Sequence, residues 1–174
     1  MKNHLMKIQT IIVYSVQTIS ISLFVLYLGF MTHYYVLFYD GTFEMFEYYK
    51  QLQVFNKEGF RLVILFVLFS LVLLVFELHK IRPGLFGLVA VLGMTMYVSI
   101  NSLLLINVMP KYKRGYLALD FSSLEEYTPS TFVFDAGIVL QYLLIGLLVT
   151  LSIIAILTFV QRLKDRNPLV RKLS

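Results

Sequence analysis

The chain has 174 residues, of which 59% are hydrophobic and 14% charged, and its formal net charge is +5. A soluble domain carries about 25% charged residues, so this composition excludes an ordinary water-soluble globule. The chain has no cysteine, which excludes disulfides, thiolate metal sites and cysteine nucleophiles.

Four long apolar stretches predict four transmembrane helices, at residues 11–33, 62–80, 84–108 and 136–160. A helix needs about 20 apolar residues to cross roughly 30 Å of hydrocarbon, and only closed hydrogen-bonding structures persist there. The fold class that we expect is an all-α integral membrane protein. Residues 1–174 are predicted to form one four-helix bundle with outer loops at 37–61 and 110–135.

The distribution of basic residues predicts that both termini lie in the cytoplasm. In this orientation the inner side carries nine of the fifteen lysines and arginines, and the outer side carries six. The positive-inside rule favours this arrangement. The outer cluster from Lys111 to Arg114 is the one contrary feature.

The first two spans have different patterns. Span 11–33 has small or hydroxylic residues at three- and four-residue intervals, which favour close contact with a neighbouring helix; they are Ser15, Thr18, Ser22, Gly29 and Thr32. Span 62–80 is composed mainly of Leu, Val and Phe with Ser70 as a lone hydroxyl, and we expect it to face lipid.

The first outer loop is predicted to carry a short interfacial helix. Asp40-Gly41 indicates a turn and helix start, and residues 42–56 place apolar and acidic side chains on different sides, which is typical of an amphipathic helix at a membrane surface. The segment ends at Asn56, which we take as a candidate packing or binding residue.

The third and fourth spans carry the deepest polar side chains. Gly84, Gly87, Ala90 and Gly93 recur every third residue and favour close backbone contact. Asn101 lies too deep in hydrocarbon to be left unpaired, so we predict an interhelical hydrogen bond to Gln141 or to a hydroxyl of the first span. A ligand contact is the alternative for Asn101, and Asn107 and Gln141 are further packing or binding candidates.

The second outer loop is the most polar segment. Ser122 and Ser123 precede Glu125 and Glu126 by three residues, a spacing that predicts a one-turn capped helix. Asp135 falls where the fourth span begins, and a carboxylate there interacts favourably with the positive end of the helix dipole.

No pattern in the sequence indicates a metal or cofactor. His4, His33 and His79 are scattered along the chain, whereas zinc sites need histidines or cysteines at ligand spacing. Phosphate-binding loops and metalloprotease motifs are missing from the sequence. We therefore expect no cofactor, no metal and no nucleic-acid partner.

Asp120 and Asp135 are the one pair of residues that suggests catalysis, because two adjacent carboxylates can share a proton and act as base and acid toward water. Here the chain resembles the lipoprotein signal peptidases, which have four spans and two aspartates flanking the last loop. The resemblance lies in Gly115-Tyr-Leu-Ala-Leu-Asp120-Phe121, in Asp135 fifteen residues later, and in Asn107, Asn56, Gly59 and Phe60.

The chain departs from that family at Pro110-Lys111, where the family has Asp-Arg, and at Phe132, where it has Asn. The resemblance implies that Asp120 and Asp135 form the catalytic pair and that the substrate is a lipid-anchored peptide.

Our leading hypothesis from sequence is a non-enzymatic multi-pass protein of a bacterial plasma membrane. It would contact membrane lipid and bind a protein partner or further copies of itself, as an accessory or binding subunit that acts through its outer loops. The membrane aspartyl peptidase is the first alternative. A small transporter or channel subunit, active as an oligomer, is the second, since one copy has no ionisable residue at mid-membrane.

Overall fold

The computed structural model describes residues 8, 10–22, 42–79, 84–122 and 128–166. Within these ranges the chain contains four helices and no strand, which confirms the all-α class. They are α1 (Thr10–Ser22), α2 (Phe43–Leu78), α3 (Leu85–Leu117) and α4 (Phe132–Arg166).

Helices α2, α3 and α4 are each long and apolar enough to cross a membrane. They include residues 62–78 of the predicted span 62–80, residues 85–108 of the span 84–108 and all of the span 136–160. The first predicted span, 11–33, is described only as far as Ser22. The orientation of the helices in the membrane and the single domain over residues 1–174 stay predictions.

The predicted boundary between a short interfacial helix and the second span does not exist. Helix α2 continues without interruption from Phe43 to Leu78, a length of about 54 Å at 1.5 Å per residue. The segment contains no proline, so no residue within it lacks a backbone donor, and Lys57, Glu58 and Arg61 stay exposed on one side. The Arg61–Glu58 ion pair at 3.0 Å bridges one turn of this exposed side.

Helices α3 and α4 also extend beyond the predicted spans. Helix α3 passes through Pro110 and ends at Leu117, although a proline inside a helix removes one backbone hydrogen bond. Its last turn is closed by bonds from the Ala118 N–H to the carbonyls of Arg114 and Gly115. Helix α4 begins at Phe132 rather than at 136. The predicted one-turn helix at 122–126 lies largely outside the described residues.

Three contacts fix α3 and α4 as antiparallel neighbours. The Thr95 and Ser152 hydroxyls are 2.7 Å apart, a Cβ on Gly137 would lie 3.1 Å from Met109 Cε, and Lys113 contacts Asp135. Hydroxyl pairs of this kind contribute about 0.6 kcal/mol on average between helices in membranes.

The prediction that span 62–80 faces lipid is wrong for one side of α2. Leu62, Val63 and Phe66 are fully or almost fully buried against α3 and α4. Ser70 is buried as well, and its hydroxyl lies 3.3 Å from that of Ser20 on α1. A Leu/Val/Phe pattern does not distinguish lipid from protein neighbours, since both are apolar.

The contact of α1 also differs from the predicted one. Its buried side chains are Val13, Val16, Gln17 and Ser20. Thr18 and Ser22, which we expected at the contact, are exposed and donate hydrogen bonds to carbonyls of their own helix. Within the described part of α1, Ser20 is thus the hydroxyl that meets a neighbouring helix.

Candidate functional site

A cavity lies where α2, α3 and α4 meet, at the end of the bundle that holds the start of α2, the end of α3 and the start of α4. We call this end the head. The cavity provides about 40 Å³ for the centres of water molecules, on the order of three waters. Its lining residues are Leu52, Phe55, Asn56, Gly59, Leu105, Met109, Val133, Phe134, Gly137 and Gln141.

The polar side chains that line the cavity are two carboxamides, Asn56 on α2 and Gln141 on α4. Both are residues that the sequence indicated as packing or binding candidates. Gln141 is 1% exposed, so its carboxamide is withdrawn from solvent and lipid. Each carboxamide offers both donors and an acceptor. With no charged residue in the lining, the cavity suits an uncharged group that is partly apolar.

Two glycines leave room for the cavity because they carry no side chain. Gly59 and Gly137 both line the cavity. A Cβ on Gly137 would come within 3.1 Å of Met109 Cε, so a side chain here would displace the methionine end toward the cavity. The sequence reasoning noted Gly59 only as part of the family resemblance and did not single out Gly137.

Aromatic side chains hold the helices together around the cavity. The Tyr48 hydroxyl on α2 donates a 2.7 Å hydrogen bond to the Tyr112 carbonyl on α3. The Phe55 and Tyr112 rings lie 4.5 Å apart, and the Tyr116 and Phe134 rings 5.5 Å apart. Stacked and tilted pairs of this kind add about 0.5–1.5 kcal/mol beyond area burial. The cluster therefore keeps the cavity walls in fixed positions.

Asp135 is engaged in an ion pair at the rim of the head. Both of its carboxylate oxygens lie 2.8 Å from Lys113 Nζ, and its side chain is 55% exposed. A solvent-exposed ion pair contributes about 0–1 kcal/mol to the stability of the folded state. The contact joins the end of α3 to the first turn of α4, where the carboxylate also lies at the positive end of the helix dipole.

Asp120 occupies a different local structure. Its Oδ1 accepts a 2.9 Å hydrogen bond from the Ser122 N–H, an Asx turn, and its side chain is exposed. The hydrogen bonds from Ser122 lower the pKa of the Asp120 carboxyl.

Asp120 and Asp135 lie at the same end of the bundle, because α3 ends where α4 begins. Neither carboxylate lines the cavity. Each has its own partner in the structure, Ser122 for Asp120 and Lys113 for Asp135. Their catalytic role stays a prediction.

Asn101 does not make the predicted bond to Gln141. Its Nδ2 donates to the Tyr97 carbonyl of its own helix at 2.8 Å, and the neighbouring Tyr97 and Leu104 are exposed. Asn107 is exposed as well. Thr32 of the first span, another predicted partner, lies outside the described residues, and a ligand contact of Asn101 stays a prediction.

Sequence reasoning missed two residues of the head. Tyr48 was not among the candidate residues, and Lys113 entered only as part of the basic cluster from Lys111 to Arg114. The four-residue spacing of Tyr112 and Tyr116, with Gly115 beside them, was an available signal of a packing face. A Cβ on Gly115 would lie 3.2 Å from Tyr48 Cε2, so the glycine lets the tyrosine ring reach α3.

Among the described residues no group of three His, Asp or Glu side chains could hold a metal ion. Comparisons of the chain with protein-family models, with curated proteins and with solved structures give no match.

Proposed function

We propose that this chain is a non-enzymatic multi-pass membrane protein that binds an uncharged, partly apolar group in the cavity of the head. The group belongs to a partner protein or to a lipid, and the chain acts as an accessory or binding subunit. One observation supports this most directly: the cavity is lined by two carboxamides among apolar side chains, while Asp120 and Asp135 are engaged elsewhere.

The position of the cavity along the helices supports a ligand from the membrane surface. On α2 it lies beside Lys57, Glu58 and Arg61, just before the charge-free run that begins at Leu62. On α3 the lining residue Met109 lies two residues before Lys111, and on α4 the lining residues Phe134 and Gly137 lie on either side of Asp135. The cavity thus lies at the depth where polar head groups give way to hydrocarbon, which a group that is both polar and apolar can reach.

We also propose the location and orientation. The three long apolar helices support membrane insertion, and the balance of lysine and arginine supports cytoplasmic termini. The head then faces the exterior of a bacterial plasma membrane. Labelling of intact cells should reach Lys50 and Lys113 but not Lys164.

The test is native mass spectrometry of the full chain, extracted from its own membrane in mild detergent. The wild type should retain a partner protein or a lipid. Gln141→Leu keeps a similar volume but removes the carboxamide, and it should retain roughly tenfold less ligand, because hydrogen bonds to a buried amide contribute about 1 kcal/mol each.

The matched control is Thr150→Val on the same helix, since the Thr150 hydroxyl bonds to the Gly146 carbonyl of its own helix and does not line the cavity. It should retain as much ligand as the wild type. A wild type that carries no partner or lipid, or a Gln141→Leu variant that binds as well as the wild type, contradicts the proposal.

The aspartyl peptidase is the second candidate, and the placement of Asp120 and Asp135 at one end of the bundle favours it. This hypothesis requires that Asp120→Asn and Asp135→Asn each abolish cleavage of a lipoprotein precursor in a reconstituted assay. Cleavage by the wild type that survives in either variant would exclude an aspartate pair.

A further inference from the structure

The basic cluster from Lys111 to Arg114, which opposes the predicted orientation, contains side chains in two different states. Lys113 Nζ lies 2.8 Å from both carboxylate oxygens of Asp135. Lys111 and Arg114 are exposed, and among the described residues neither forms an ion pair. Two of the three positive charges of the cluster are therefore not neutralised within the described part of the chain.

Most carboxylates that the structure places at the head are engaged with other groups. Glu47 and Glu58 form ion pairs within α2. Asp135 is paired with the third cation of the cluster, and Asp120 accepts a backbone hydrogen bond within its own turn. Helix α3 itself contains no acidic residue. The end of α3 is thus a locally positive surface.

Lys111 and Arg114 continue an exposed face of α3. Side chains three or four residues apart lie on one side of a helix, and this spacing joins Leu104, Asn107, Val108, Lys111 and Arg114. Leu104 is 57% exposed and Val108 41% exposed. Asn107 is exposed as well. Along the helix axis the face is first apolar, then carries one carboxamide, and ends in two cations.

The depth of the two cations matches the head groups of a bilayer. The charge-free residues 85–110 extend about 39 Å as a helix. The hydrocarbon core is about 30 Å thick, and the bilayer with its head groups about 40–45 Å. A run of this length crosses the hydrocarbon and reaches into the head groups at its ends. Lys111 is the first charged residue after the run, and Arg114 lies about 4.5 Å farther along the axis.

We propose that Lys111 and Arg114 bind the phosphate of an anionic phospholipid whose acyl chains lie along Leu104 and Val108. The lysine supplies a compact positive charge, and a guanidinium can donate two parallel hydrogen bonds to phosphate oxygens. Asn107 lies about 6 Å before Lys111 along the axis, at the level of the glycerol esters, where its amide can donate to an ester carbonyl.

The order of groups on this face favours an anionic lipid over other anions. An acidic protein segment would meet the two cations but would leave the exposed apolar side chains below them uncovered. A zwitterionic phospholipid carries its own cation beside the phosphate, and that cation competes with the basic pair. Phosphatidylglycerol carries one net negative charge and no cation, so it is the probe that the charges of this face fit.

A single tryptophan can report which lipid lies against this face, because the chain has none of its own. Leu104→Trp places it on the face. Leu143→Trp is the matched control on α4, since Leu143 is 42% exposed and lies at the same level in the register set by the Thr95–Ser152 contact. The full chain is reconstituted in mixed vesicles in which either phosphatidylglycerol or phosphatidylcholine carries brominated acyl chains, and the relative quenching gives the preference between the two lipids at each position.

One basic residue near an anionic lipid strengthens binding roughly fivefold. Leu104→Trp should therefore prefer phosphatidylglycerol by at least that factor, and Leu143→Trp should show less than half of this preference. Occupation of the two cations by an acidic protein, or by Glu125 and Glu126, which lie outside the described residues, would remove the preference at Leu104→Trp. A weaker preference there than roughly fivefold, or an equal one at Leu143→Trp, overturns the proposal.

Removal of charge then locates the site. In the Leu104→Trp chain, Lys111→Gln together with Arg114→Gln should lower the preference to less than half. The control is Lys50→Gln together with Arg61→Gln, which also removes one lysine and one arginine from the head, but from ion pairs within α2. The control should keep more than half of the preference. Far-UV circular dichroism checks that each variant is helical. A preference that survives loss of the two cations of α3, or that falls as far in the control, refutes the site.

This site is separate from the cavity, because neither Lys111 nor Arg114 lines it. Gln141→Leu should leave the preference for phosphatidylglycerol at Leu104→Trp unchanged, so failure of one proposal is distinguishable from failure of the other.

Discussion

The hydrogen bond from Tyr48 to the Tyr112 carbonyl gives a sharp test of how the head is held together. The bond is 2.7 Å long and joins α2 to α3 across 64 residues of sequence. The Tyr48 ring also lies against Gly115, where a Cβ would come within 3.2 Å. Tyr48→Phe removes the hydroxyl and keeps the ring, so the packing stays and only the hydrogen bond is lost.

The expected cost of Tyr48→Phe is about 1 kcal/mol in the free energy of unfolding, the usual net contribution of a neutral hydrogen bond. The Tyr112 carbonyl loses an extra donor but keeps its place in the helix, so no large penalty follows. Tyr48→Ala should cost roughly 2–3 kcal/mol, less than the 3–5 kcal/mol of a fully buried aromatic, because Tyr48 is only partly buried.

The measurement is reversible unfolding of the reconstituted protein by a denaturing detergent, followed by far-UV circular dichroism. Tyr142→Phe is the matched control, since Tyr142 is 55% exposed on α4, and it should stay within about 0.3 kcal/mol of the wild type. Equal stabilities for Tyr48→Phe and the wild type, or equal losses in Tyr48→Phe and Tyr142→Phe, would show that this bond does not stabilise the head.

Two further predictions concern a hydroxyl pair and a carboxyl. Thr95→Val removes the bond to Ser152 and should lower the free energy of unfolding by about 0.6–1 kcal/mol. Thr158→Val is the control, because the Thr158 hydroxyl bonds to the Ile154 carbonyl of its own helix, and it should cost less in the same unfolding assay. A larger loss in Thr158→Val than in Thr95→Val contradicts the prediction. Hydrogen bonds from Ser122 lower the pKa of Asp120, so its carboxyl should titrate below about 3.9 by carbon NMR. The turn that it stabilises is present above that pH and is lost as the pH falls through the lowered pKa. A carboxyl that titrates above its usual range would favour a proton-sharing pair with Asp135.

The sequence predicted the helical class and three membrane-compatible helices correctly, because a long apolar run without charge has few alternatives in lipid. The ends of these helices were predicted less accurately from the sequence. The predicted interfacial helix ended at Asn56 and the next span began at residue 62, yet α2 continues through Lys57, Glu58 and Arg61, which lie on its exposed side. Composition reports what a segment contacts on average, whereas helix continuity depends on backbone hydrogen bonding.

Asn56 and Gln141 were both packing or binding candidates from the sequence, but the sequence did not predict that they lie close to one another. Both line one cavity although 85 positions separate them in the chain. Asn101, for which Gln141 was one predicted partner, instead donates a hydrogen bond to the Tyr97 carbonyl of its own helix. Single-chain periodicity cannot assign these partners, because two residues on separate helices meet only through the crossing and rotation of those helices.

Composition and apolar run length by themselves determined that this chain is helical and suited to a membrane, since the cost of burying unpaired backbone in hydrocarbon leaves few other structures. The tertiary structure alone decided that two distant carboxamides share a cavity, that Tyr48 joins α2 to α3, and that Asn101 donates a hydrogen bond within its own helix. These features depend on how rigid helices rotate and cross to fill space, a property of the packed bundle rather than of any one segment.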